Sequence, residues 1–203
     1  MNLPLVFMGV SLWILPLIGN TQLLEQDTIL AKYYSKQEIK QMEAILSFFD
    51  EHMLSTCQGS HKIAVCYQQL FNRLADPDSF NIGIPFKDQI NLYLKELDRE
   101  VFNSIWAYSP SRARIAGDKL QYYNSISYNP TGRYRKFLKN VSKAEPYFDK
   151  YVEPIETAGD LSPSLFKGFL YNPSGLDFNN ERHRLILAIH FLTFNDQIAT
   201  RPS

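Results

Sequence analysis

At 203 residues, with 45% hydrophobic and 21% charged side chains, the chain has the length and balance of one globular domain with a full core. Its 21 bases and 21 acids cancel, which argues against a dedicated nucleic-acid binder, a class that carries a clear basic excess. Fourteen Phe and twelve Tyr, spread along the chain, make the aromatic content high.

Residues 1–22 hold no charged side chain; the first is Glu25. This apolar run, broken by Pro4, Gly9 and Pro16 and followed by Gly19, Asn20 and Thr21, reads as a secretory signal over residues 1–21, cleaved from a domain of residues 22–203. It lacks the usual basic start and an Ala-x-Ala cleavage site. The rival readings are a membrane anchor over residues 3–18, short for a span, and a buried helix of the fold. The expected setting is periplasmic or secreted.

Ser35 and Glu38 form a capping box, and Ile39, Met42, Ile45, Leu46 and Phe49 keep helical spacing after it, predicting a helix over 36–53. Gly59 and Ser60 stop that helix and cap a second over 61–75, which Asp76, Pro77 and Asp78 end. A third helix is expected over 86–107, on the period of Ile90, Leu94, Leu97, Val101 and Ile105. Residues 108–132 read as irregular, with a hairpin of 112–116 and 119–123 around Gly117 and Asp118 as the minor alternative. Helices follow over 134–141 and 146–157, then a short one from the Ser162 cap to residue 170. After a turn at 172–175, Asp177 caps a final helix over 178–194 that is apolar on every side and so belongs inside the molecule. The expected fold is a single all-α bundle of roughly six helices.

Cys57 and Cys66 are the two cysteines, and in an oxidising compartment they are expected to pair. Free thiols are one alternative. A metal held by Cys57, His61 and Cys66 is another, but it lacks a fourth ligand and matches no zinc spacing. No metal or other cofactor is expected.

Charge is unevenly distributed. Residues 108–140 carry seven bases and Asp118 alone as acid, a net of +6, while the segment from 25 to 107 is at −4 and the remainder at −2. Arg112, Arg114, Tyr122, Tyr123, Arg133 and Arg135 make this stretch the candidate binding surface. Guanidinium forks match carboxylates and phosphates, and tyrosine rings stack on sugars, so the expected partner is anionic, sugar-containing or a protein. A loop packed over the core is the plainer reading, and attraction to a membrane surface a variant of the binding one.

His183 and His190 lie seven residues apart on one stripe of the final helix, about 10 Å from each other and too far to chelate one ion unaided. The plain reading is a polar seam in a buried helix. The catalytic one is a pocket in which a histidine, assisted by Glu181 or Asp196, acts as general acid or base. Asn140 opens a glycosylation sequon, and no Gly-x-Ser-x-Gly, Walker, dinucleotide or His-Glu-x-x-His pattern occurs. The sequence therefore supports an exported protein that acts by binding. Its alternatives are a small secreted hydrolase and a structural envelope component. Membrane contact is expected only through an uncleaved leader.

Overall fold

The computed structural model describes residues 23–74, 82–116, 119–159 and 173–202. The expected leader, the stop at Asp76–Asp78, the Gly117-Asp118 turn and the helix over 162–170 lie outside them.

Helix α1, Lys36–Thr56, begins as its capping box requires: Ser35 Oγ accepts from Glu38 N–H, and the Glu38 carboxylate accepts from Ser35 N–H. Its stripe of Ile39, Met42, Ile45, Leu46, Phe49 and Met53 is buried, as the period predicts. Helix α2, Ile63–Leu74, lies against it, and the Cys57–Cys66 disulfide closes the turn between them. Helix α7, Glu181–Thr200, runs through the interior, with every residue from Arg182 to Thr193 buried. Phe191 stacks on Phe49 at 5.6 Å between ring centres, and Phe178 packs on Tyr67 and Phe71.

The third predicted helix is two. Helix α3, Phe86–Lys95, ends, and α4, Arg99–Ile105, restarts because Asp98 Oδ1 caps Val101 N–H at 2.8 Å. Gln41 of α1 fixes this break, accepting from Asp98 N–H and donating to its second carboxylate oxygen. Apolar spacing reads straight through a cap of this kind, which is why one helix was expected.

The all-α expectation is overturned. The chain is mostly helical, but residues 106–128 form an antiparallel hairpin of β1, Trp106–Arg114, and β2, Leu120–Tyr128. The minor alternative placed strands too near the tip: the ladder extends down to Trp106 opposite Tyr128. Ser hydroxyls bridge the strands, Ser109 with Ser127 at 2.7 Å and Ser111 with Ser125 at 2.9 Å. The hairpin base enters the core. There Trp106 packs on Tyr93 and Phe102 and donates its indole N–H to Thr193 of α7 at 2.8 Å.

Helix α5, Arg133–Ala144, and α6, Asp149–Ala158, complete the described elements. Gly132 leads into α5 hard against α4: a Cβ there would stand 2.3 Å from the Ser104 carbonyl oxygen, so only glycine fits. Among the described residues no helix is long and apolar enough to cross a membrane.

Candidate functional site

The strands pair without a bulge, so side chains alternate strictly between two faces. One face carries Tyr108, Pro110, Arg112 and Arg114 from β1 and Leu120, Tyr122 and Asn124 from β2, with Arg112 opposite Tyr122 and Arg114 opposite Leu120. Tyr122 is 71% exposed, Tyr108 67% and Leu120 52%. Arg112 is exposed and has no hydrogen-bond or ion-pair partner among the described residues. Tyr123 falls on the opposite face, half-buried. The hairpin thus gathers four of the six candidate residues on one projecting arm and adds Tyr108 and Leu120, which were not among those six. Their signal was the period-two alternation of the two strands.

Arg133 and Arg135 are not on this arm. Arg133 stands over the Tyr34 ring at 4.9 Å, donates to the Tyr33 carbonyl at 3.0 Å and pairs with Glu38 and Glu100. Arg135 donates to the Ile155 carbonyl at 2.9 Å and pairs with Glu156. Both bind α5 to its neighbours. Asn140 uses its amide nitrogen, the atom a glycan would take, to donate to Tyr33 Oη and the Lys136 carbonyl.

The histidine stripe begins in a buried charge network. Arg182 bridges Asp27, at 3.0 Å, and Glu145, at 2.6 Å. His183 Nδ1 accepts from Asp177 N–H at 3.0 Å, which leaves the ring proton on Nε2, donated to Glu145 at 2.6 Å. The hydrogen bond from His183, with Arg182 adding to it, holds the Glu145 carboxyl below its ordinary range. Arg184 donates to Asp50 at 3.2 Å and to the Phe178 carbonyl at 2.9 Å, and Tyr67 Oη donates to Asp50 at 2.8 Å. Glu181 accepts from Leu24 N–H at 2.8 Å. The network fastens the chain near Leu24, α1, α2 and the end of α5 to α7.

His190, two turns further, lies among tyrosines. Its Nδ1 is 3.2 Å from Tyr128 Oη and 3.4 Å from Tyr151 Oη, and the two hydroxyls are 2.9 Å apart. Burial pushes its pKa down to about 3, so the ring is neutral at physiological pH. Both imidazoles are 3% exposed, and a substrate would have to displace packed side chains to reach either.

Surface cavities are lined by other side chains, and one of them borders the network at Asp177 and Phe178. One of about 420 Å³ is lined by Met53, Cys57, Cys66 and Arg73; a smaller one, of about 240 Å³, lies beside Gly132, Lys136 and Glu156. The two cysteines are bonded to each other, so neither thiolate is left for a metal, and no cluster of three or more metal-ligating side chains occurs among the described residues. Comparison with known protein families, with curated proteins and with solved structures returned no match.

Proposed function

We propose that this protein is an exported binding protein that captures an anionic partner through the hairpin arm. The observation that carries the reading is the exposed pairing of Arg112 with Tyr122 on a face that also holds Tyr108 and Leu120. Tyr and Arg are the residue types that dominate binding energy at protein surfaces, and here Arg112 and Tyr122 stand opposite each other on an exposed face. The arm is basic, with Arg112, Arg114 and Lys119 against Asp118, so it attracts acidic groups. Export is supported by the charge-free opening run and by the Cys57–Cys66 disulfide, which suits an oxidising compartment. The hydrolase alternative draws no support from the geometry, since both histidines are closed off and hydrogen-bonded inside.

The test is a titration of the full chain with fluorescent polyglutamate and, in parallel, with a sulfated polysaccharide, which sets acidic protein against acidic sugar. The double substitution Arg112→Ala/Tyr122→Ala is expected to weaken capture about thirtyfold or more, the loss of at least one strong contact. Surface changes of this kind leave stability within about 0.5 kcal/mol. Unchanged capture by the double variant, or no capture by the native chain, overturns the reading and leaves a structural role in its place.

A further inference from the structure

The arm presents its backbone as well as its side chains. In an antiparallel ladder, alternate residue pairs direct their N–H and C=O groups away from the partner strand. Ile126 marks which pairs these are. Its N–H donates outward to Asp196 Oδ1 at 2.9 Å, and its carbonyl accepts from Gln197 Nε2 at 3.2 Å, both from α7. The inward bonds sit on the other pairs, as in Ile115 N–H to the Lys119 carbonyl at 3.0 Å. By the unbroken register, Leu120, Tyr122 and Asn124 therefore turn their N–H and C=O groups outward along β2.

The two edges of the hairpin are treated differently. On β1 the outward-facing residues include Pro110, which has no N–H to offer and whose ring obstructs an added strand. On β2 the base is closed by Asp196 and Gln197, and beyond it Leu120, Tyr122 and Asn124 are exposed, with no third strand among the described residues. Among the described residues, one edge is guarded and one is open. The open stretch is five residues, about 17 Å, enough for a short added strand.

We infer, resting on the arm's binding role, that the partner is an extended polypeptide segment that pairs with β2 along Leu120–Asn124 and carries acidic side chains at alternate positions. Main-chain hydrogen bonds supply affinity in such strand addition, and alternate side chains supply specificity. An added strand lies two strand spacings from β1, about 10 Å, a gap that a glutamate and an arginine reaching over Tyr122 close between them. The bases favour this occupant over a second copy of the chain. Two arms joined edge to edge would bring Arg112, Arg114 and Lys119 of each toward those of the other.

The experiment uses the full chain and an end-capped octapeptide of alternating Glu and Val, with a Lys–Val peptide as control. Amide exchange read residue by residue is expected to slow at Leu120, Tyr122 and Asn124 when the Glu peptide is added. Leu120→Pro and Asn124→Pro each remove one outward N–H without touching the hairpin ladder, and each is expected to weaken binding about tenfold more than the matching alanine change. Retained protection at Tyr123 and Ser125 verifies that the hairpin is intact in both. Proline variants that bind as well as the alanine variants, or protection appearing elsewhere, overturn strand addition. So do failure of the Glu peptide to bind and concentration-dependent protection of these amides without peptide. If Arg112→Ala still weakens polyglutamate capture in that event, the arm reading stands and only the mode of docking falls.

Discussion

At the scale of single residues, α7 shows how a buried polar group is tolerated when its charge is removed or matched. His190 takes the first course. Its folded pKa, about 3, lies below the unfolded value of about 6.5, so between these limits the unfolded chain binds the extra proton. The stability this site contributes is complete above pH 6.5 and is lost as pH falls toward 3, at up to about 1.4 kcal/mol per pH unit. Urea midpoints between pH 7.5 and 4.5 should fall more steeply for the native chain than for His190→Gln, which retains an acceptor for the tyrosines. Parallel slopes would show that His190 is not held neutral by burial. Arg182 takes the second course, and Arg182→Met, which strands Asp27 and part of Glu145, is expected to cost about 3–5 kcal/mol in urea unfolding. A loss under 1 kcal/mol would mean that water already shares the site. The stripe itself was legible from the seven-residue spacing of His183 and His190. Their partners were not, because Arg182 meets carboxylates 155 and 37 residues away, and no local spacing rule encodes that.

Elements were legible where the signals agreed and were misread where they competed. The α1 capping box and stripe pointed to the same helix. From Phe86 onward the apolar period continued past Asp98, so the helix was extended too far and swallowed the first two residues of β1. Two prolines, two glycines and many Ser and Asn then made residues 108–132 look irregular, although a proline such as Pro110 is compatible with an edge strand. What the sequence could not reveal is that a helix supplies the hydrogen bonds at the hairpin's base. Asp196 is the clearest case, its carboxyl pushed up by burial while it accepts from Ile126 N–H. Asp196→Ala leaves that N–H unpaired and is expected to cost about 1–3 kcal/mol, with faster amide exchange at Ile126 than at Ser125 or Ser127. Asp196→Asn keeps the acceptor and drops a poorly solvated charge, so it should be neutral or mildly stabilising near pH 7. Equal losses in the two variants would place the role of Asp196 in its charge, not in the bond to β2.

Across the whole molecule, the disulfide and the proposed binding arm are anchored in different places. The disulfide joins α1 to α2, whereas the arm is rooted on α4 and α7 through Trp106, Asp196 and Gln197. Closing a loop of about ten residues restricts the unfolded chain and stabilises the fold by about 2.7 kcal/mol. At this chain length each kcal/mol moves the melting temperature by about 2–4 °C, so Cys57→Ser/Cys66→Ser, or reduction, is expected to lower it by about 5–10 °C. Anionic capture at 25 °C should be unaffected, because the arm's anchors do not include either cysteine. Calorimetry and polyglutamate titration on the same reduced sample separate the two quantities. A melting temperature that falls with capture intact fits a disulfide whose work is confined to keeping α1 and α2 together. Capture lost in step with reduction would instead tie the arm to the redox state of the far hairpin of helices, and the separation of roles argued from these anchors would fail.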